Sequence, residues 1–366
     1  MQAFKKIKVC LLSRFFDLKK MGGGIDRYSF EIKKRFEERG IEVKEVKQGR
    51  LLFSYQSGVE YMLYTLFFIR FKIPKDCQIY HSLSPMESIY LKKGANNIVT
   101  FHDLIPVLYY DLIPRHFRPA DSLFRKIIYP LNFLKRRILR KINQDYFRFG
   151  YHQAIKKAKK IIAVSNQTKK ELIEYFNVPP SKITVIYPGV SSFLKPKPKR
   201  DRVYRIGSLS YLSPRKRTDV LIRSFKKTRI DGELLIAGRG EDEKRLKRMA
   251  GGDKRIKFLG FVPDEKLSDF YSLLDVFVFP SSLEGFGIPI VEAMLFKIPV
   301  ITLTDSIIPE DLKQKTQVVE KDALSSVLKN RDFKCNIEDN YKFASSLTWE
   351  NTVEKIIKIY KEVLSS

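Results

Sequence analysis

Short apolar runs alternate with amphipathic stretches along almost the whole of this chain. KIKVCLLS near the start is followed by the helix-like IDRYSFEIKKRFEERG and then by IEVKEV. Further runs are NNIVTFHD, AKKIIAVS, KITVIYPG, RVYRIGSLS, GELLIAG, IKFLGFV, DVFVFPS and IPVITL. Runs that are apolar at consecutive positions suit strands covered on both faces, and the helical patterns between them supply the covers. The pattern predicts an α/β chain of the doubly wound, parallel-sheet kind.

The alternation restarts near the middle. SSFLKPKPKRDRVYRIG holds two prolines and six basic residues with no apolar period, which predicts a linker over 191–202. The expected layout is a Rossmann-like domain over 1–190, a second over 203–345, and a closing helix over 346–366. That helix, in TWENTVEKIIKIYKEVL, has apolar side chains at 353, 356, 357, 360, 363 and 364. With 366 residues, 44% of them hydrophobic, there is material for two cores. The longest apolar segment, YMLYTLFFIRF at 61–71, is too short to cross a bilayer and contains Arg70. The N-terminal apolar run is too short for a signal peptide and reads as a first strand. Cys10, Cys77 and Cys335 are scattered and lack CxxC spacing, which argues against a disulfide framework or structural zinc and for a cytoplasmic protein.

Charge separates the two halves. The net charge is +28, and residues 1–200 carry 40 Lys and Arg against 16 Asp and Glu, whereas residues 201–366 carry 29 against 25. Residues 113–160 alone hold 14 basic and 2 acidic side chains. The first half is therefore expected to meet something anionic.

The candidate chemistry centres on SSLEGFGIPIVEAM, residues 281–294, between an apolar strand and a helical pattern. Gly285 and Gly287 let backbone approach a ligand closely, and free amides at a helix start favour phosphate. Pro289 suits a first helical turn, and Glu292 is expected in that turn with Glu284 in the loop above it. Two carboxylates on one crevice would accept hydrogen bonds from hydroxyl groups. Spacing alone leaves a plainer alternative open, in which Glu292 is a capping device and the serines and glycines are turn residues.

PSSLEGFGIPIVEAMLFKIPVI resembles the E-x7-E segment of retaining glycosyltransferases of family 4, which have the GT-B fold. Five further blocks resemble that family in its order: MGGGIDRYSFEI, TFHDLIPVLYY, IIAVSNQTKKELIEYFNVPPSKITVIYPGV, IGSLSYLSPRKRTDVLIRSF and SLTWENTVEKIIKIYKEVL. The resemblance implies two Rossmann-like domains facing each other across a cleft, the last helix returning to the first domain. It also implies transfer of a hexose, of mannose or glucose type, from a nucleotide-sugar such as GDP-mannose or UDP-glucose.

Residue roles follow from the same resemblance. Arg215 and Lys216 would hold the diphosphate, where charge grows on the leaving group. Glu284 would lie near the donor sugar, Glu292 would hold the ribose hydroxyls, and Gly285 with the amides of Phe286, Gly287 and Ile288 would meet sugar or phosphate. Phe261 and Val262 match the region that reads the base, and Gly23 and Gly24 the loop that closes over the diphosphate; taken alone, the latter are equally a flexible turn. His102 would contact the donor sugar, with Asp103 orienting its ring or capping the next element. Together His102, Glu284, Arg215 and Lys216 form the expected catalytic set. Ser208 is a departure, since many members carry Arg directly after the glycine that is Gly207 here, and the loop to Lys216 is slightly longer than usual. No D-x-D motif occurs, and with Arg215 and Lys216 present the reaction is expected to need no metal or other cofactor.

The acceptor in this architecture belongs to the first domain. Residues 113–160 interleave aromatic and aliphatic residues with Arg and Lys, as suits an anionic membrane surface or equally a solvated helix pair. A glycan or lipid-linked acceptor and a peripheral place on the inner face of the cell membrane are expected. Nucleic acid is disfavoured as a partner because the two glutamates would repel it.

Overall fold

The computed structural model describes residues 7–14, 16, 24–47, 58–109, 133–191, 193–198 and 201–365. The chain divides into two compact units, Met1–Ile186 with Val353–Ser366, and Tyr187–Thr352. Each contains one six-stranded sheet, and every strand pair in both sheets is parallel.

The first sheet is built from β1 (Lys8–Ser13), β2 (Glu42–Lys47), β3 (Ile79–Ser82), β4 (Asn97–Phe101), β5 (Lys160–Ala163) and β6 (Ile183–Val185), in the order β2-β1-β3-β4-β5-β6. The central strands are mostly apolar and buried on both faces, and all five residues of β4 are buried. Edge strand β2, EVKEVK, exposes the charged Glu42 and Lys47 at its ends, which discourages pairing with other chains. The pattern of apolar runs predicts every strand here except β3, whose four residues are IYHS.

The helix Trp349–Ser365 closes the chain, and from Val353 onward it belongs to the first unit. Its fully buried Tyr360 pairs its hydroxyl with His81 Nδ1 at 2.7 Å, and His81 Nε2 meets Thr100 Oγ1 at 2.8 Å. A histidine inside β3 thus ties the last helix to the strand beside it.

The second sheet is built from β7 (Arg205–Leu209), β8 (Glu233–Ala237), β9 (Ile256–Gly260), β10 (Val276–Val278), β11 (Val300–Leu303) and β12 (Gln317–Val319), in the order β12-β11-β10-β7-β8-β9. From β7 the chain winds outward to β9, then crosses back to β10 and winds outward the other way. The loops after β7 and β10 therefore lie at the switch in strand order, beyond the carboxyl ends of these neighbours, where open parallel sheets bind their ligands. The 191–202 stretch clusters with this unit, and its backbone at Lys195 and Lys197 donates to Ser268 and Ser272 on the helix Asp264–Ser272. The incoming and outgoing segments of the unit run side by side, joined by a bridge between Val190 and Thr348 and by Thr352 Oγ1 donating to the Tyr187 carbonyl.

Burial, with a smaller contribution from His102, lowers the His81 pKa from 6.5 to about 3. The unfolded chain therefore binds a proton that the folded chain rejects, and stability falls as pH drops below about 6.5 and continues to fall to about 3. This group alone accounts for up to about 1.4 kcal/mol per pH unit in that window. Denaturant titrations at pH 7 and pH 5 should show a smaller loss in His81→Gln than in the wild type. An equal loss would mean that His81 is not held neutral.

Candidate active site

Four loops of the second unit converge beyond the carboxyl ends of its parallel strands. The loop after β7 makes a tight turn at Pro214–Lys216, where proline pre-sets the first position, and then enters the helix Thr218–Thr228 through Arg217. Arg217 takes a left-handed conformation, φ 51°, which a side-chain-bearing residue adopts only when its surroundings hold it there.

Those surroundings are the loops after β10 and β11. Arg217 donates from Nε to the Pro280 carbonyl at 2.6 Å and from Nη2 to the Ser281 carbonyl at 3.1 Å and Ser306 Oγ at 2.8 Å. Its Nη1 lies 2.8 Å from both oxygens of Asp305. The Arg215 carbonyl accepts from the Ser282 amide at 2.9 Å and from Ser282 Oγ at 3.0 Å. Glycines bring the loop after β8 against the same turn. A Cβ on Gly238 would meet the Ser210 carbonyl oxygen at 1.8 Å, and one on Gly240 the Leu212 oxygen at 2.1 Å.

Held this way, Arg215 and Lys216 meet Glu284. Lys216 Nζ and Ser281 Oγ both donate to Glu284 Oε1, and Arg215 Nη1 lies 3.4 Å from the same oxygen while donating to the Leu283 carbonyl. Lys216 Nζ also lies 5.5 Å from the Phe279 ring centroid, over its face. Burial would raise the Glu284 pKa, but the charges of Lys216 and Arg215 outweigh it and hold the carboxyl below its ordinary value. Two cations thus share one carboxylate, and the cluster keeps an excess positive charge. Among the described residues no hydrogen bond reaches Glu284 Oε2.

Glu292 is placed differently from expectation. The helix begins at Ile288, after Gly287 at φ 107°, and Glu292 is its fifth residue rather than part of a first turn. It is 2% exposed, and its Oε2 accepts from the Tyr271 hydroxyl at 2.7 Å. The capping alternative is therefore excluded for this residue. Ser208 is likewise buried inside β7, opposite Ile236, because the strand runs on to Leu209. Phe286 is buried and stacks on Tyr187, with ring centroids 5.6 Å apart. Gly285 and Gly287 lie in the loop leading into the helix, and Phe261 and Val262 directly follow β9, with Phe261 exposed.

In the first unit, His102 directly follows β4. Its Nε2 meets the Leu83 carbonyl at 2.9 Å, so this nitrogen carries the hydrogen and Nδ1 is left as an acceptor. Burial lowers its pKa to about 4 against the opposing effect of that hydrogen bond, and Tyr28 packs edge-on to the ring at 4.8 Å. Asp103 accepts from the Ile105 amide at 3.0 Å, which makes it a cap for the following helical turn. Gly24 opens the helix Gly24–Glu38, and a Cβ there would meet nothing within 4 Å. Gly23 lies outside the described residues.

Arg217, Tyr271 and the Gly238–Gly240 pair are absent from the sequence-based candidates. Gly-x-Gly directly after the apolar run GELLIA is a readable sign of close backbone approach. Arg217 is hidden inside the charge run RKR, and Tyr271 carries no local signal.

Arg217→Ala should lower the unfolding free energy by about 1–3 kcal/mol, since several carbonyls and Asp305 lose a donor. Arg217→Gly should recover about 1 kcal/mol of that, because glycine adopts the left-handed turn freely. Denaturant unfolding checks both; an Arg217→Gly protein as stable as the wild type would show that these contacts hold nothing together.

Two family models match the chain, one to each unit in turn. The model described as Glycosyltransferase Family 4 matches residues 22–192, and that described as Glycosyl transferases group 1 matches residues 192–330. The chain is 30% identical over 253 residues to the O-antigen chain mannosyltransferase RfbU of Salmonella typhimurium, covering 66% of this chain and 67% of that protein. It is 28% identical over 248 residues to O-antigen chain mannosyltransferase B of Escherichia coli, covering 59% of this chain and 64% of that one, so the match spans somewhat less than two thirds of this relative. Sucrose-phosphate synthase from Thermosynechococcus elongatus superposes with a TM-score of 0.72 at 16% identity, over 98% of this chain and all of the other. HepE of Anabaena, solved with UDP and glucose, superposes with a TM-score of 0.69 at 16% identity over the same shares. With both units matched in order and both sheets parallel and doubly wound, this chain belongs to glycosyltransferase family 4 and has the GT-B fold.

Proposed function

We propose that this chain is a retaining glycosyltransferase that moves a hexose from a nucleoside-diphosphate sugar to a glycan or lipid-linked acceptor. The observation that carries the reading is the Arg215–Lys216–Glu284 cluster at the switch in strand order between β7 and β10, with its excess positive charge. A diphosphate leaving group develops negative charge as the glycosidic bond breaks, and preorganised cations stabilise that charge. In this reading Arg215 and Lys216 receive the diphosphate, Glu284 fixes them and offers Oε2 to a sugar hydroxyl, and Glu292 holds the ribose. The amides of Phe286, Gly287 and Ile288 line the same loop, and the backbone at Phe261 and Val262 reads the base. His102, neutral and with a fixed tautomer, serves as a hydrogen-bonding group for the sugar rather than as a nucleophile.

Two relatives named as mannosyltransferases favour GDP-mannose as the donor, and the complex of HepE with UDP and glucose keeps UDP-glucose as the alternative. Because the basic pair supplies the countercharge, the reaction is proposed to proceed without a metal ion. The basic first half is proposed to meet an acceptor carried at an anionic membrane. Of residues 113–160, 113–132 lie outside the described residues, and Phe133–Lys157 forms one helix. No described helix is long and apolar enough to cross a membrane.

Thermal-shift titration with GDP, UDP, ADP and their sugar conjugates tests the donor reading. One nucleoside diphosphate at 100 times its Kd should add about 2.7 kcal/mol of stability, with or without EDTA. Lys216→Ala and Glu292→Ala should abolish the shift. If the wild type responds to none of these ligands, or only in the presence of magnesium, the reading or its metal-free form is wrong. Retention is checked by the anomeric NMR signals of the first product.

A further inference from the structure

Among the described residues of the first unit, four exposed apolar side chains fall on one short element. Residues 58–71 form a continuous helical rod, regular over Gly58–Leu63, widened over Tyr64–Phe68 and tightened over Ile69–Phe71. Tyr64, Thr65 and Ile69 are buried, and Thr65 is hydrogen-bonded to Tyr146 on the helix Phe133–Lys157. The opposite side is apolar and open to solvent: Leu63 is 42% exposed, Phe67 53%, Phe68 43% and Phe71 75%. Spacings of three and four residues put these four on one stripe. Exposed phenylalanines in this density mark a contact surface rather than ordinary surface scatter.

Charge identifies the occupant. The stripe is flanked by Arg70, Lys72 and Lys75, all exposed, with the Arg70 guanidinium 4.5 Å from the centre of the Phe71 ring. Between Tyr61 and Lys75 the sequence contains no Asp or Glu, and Asp76, the next acid, is bonded to Lys8 and Lys44. Exposed Lys92 and Lys93 follow the strand that Asp76 precedes. Aromatic rings that project outward suit insertion into a soft apolar phase, and a cationic fringe suits the head groups above it.

We propose that residues 63–75 form a membrane-docking surface, with Leu63, Phe67, Phe68 and Phe71 entering the interface of a leaflet rich in anionic phospholipid and Arg70, Lys72 and Lys75 pairing with its head groups. The proposal rests on the membrane-acceptor reading of the first unit, but it assigns contact to an element other than 113–160, and it is independent of the donor site.

Flotation of the full-length protein with vesicles tests it, using phosphatidylcholine alone and phosphatidylcholine with a third phosphatidylglycerol. The wild type should float with the anionic vesicles and lose binding as salt rises. Phe67→Ser with Phe71→Ser should weaken partitioning at least about tenfold. Arg70→Gln, Lys72→Gln and Lys75→Gln should each weaken it about fivefold. Arg136→Gln with Arg137→Gln and Arg140→Gln separates the two membrane elements. If this last variant fails to float while the phenylalanine variant floats normally, the 63–75 surface is refuted and the 113–160 reading stands. If the wild type ignores both vesicle types, both fail, while nucleotide-dependent thermal shifts still report on the donor site. A phenylalanine variant that floats normally but loses a wild-type dimer in light scattering would assign the stripe to a second copy and overturn the proposal. Unchanged circular dichroism of each variant keeps loss of fold from being read as loss of docking.

Discussion

The candidate site depends on one carboxylate shared by two cations. Glu284 is nearly enclosed, and a lone buried carboxylate would be costly; Lys216, Arg215 and Ser281 make it tolerable. The converse is equally important. Without Glu284, two adjacent cations on one turn would repel each other and spread. Sharing a single counter-charge holds them together and leaves positive charge over for an anion. The same bond joins the loops after β7 and β10, the two that flank the switch in strand order.

Backbone geometry prepares that meeting. Arg217 holds a left-handed conformation through contacts with Pro280, Ser281, Asp305 and Ser306, which tie three loops together. Gly238 and Gly240 bring a fourth loop to within reach of the first, where any side chain would collide with carbonyl oxygen. The first unit relies on another buried polar contact. His81 joins β3 to Tyr360 of the last helix, and the Leu83 carbonyl fixes the tautomer of His102.

Much of this was legible in the sequence, for reasons that differ by residue. Central strands such as NIVTF are buried on both faces and carry a run of apolar residues, so they stand out. IYHS of β3 does not, because His81 is acceptable there only through Thr100 and Tyr360, partners distant in sequence. QVV of β12 is a three-residue edge strand with too little pattern to read. Family resemblance assigns Arg215 and Lys216 to a diphosphate and Glu284 to the donor sugar, but their pairing with one another is visible only in the fold, because the two loops are far apart in sequence. Glu292 lies one residue deeper in its helix than Pro289 suggests, since the helix starts at Ile288, directly after Gly287. Arg217 resembles its exposed neighbours in composition, and only tertiary contacts distinguish it.

The central claim is that the cluster recognises the second phosphate of a nucleotide. Isothermal titration with guanosine, GMP and GDP, and with uridine, UMP and UDP, tests it without need of an acceptor. For one base, affinity should rise steeply between monophosphate and diphosphate in the wild type, and that step should disappear in Arg215→Ala with Lys216→Ala. Equal affinity for monophosphate and diphosphate in the wild type, or a step that survives in the double variant, would contradict the account.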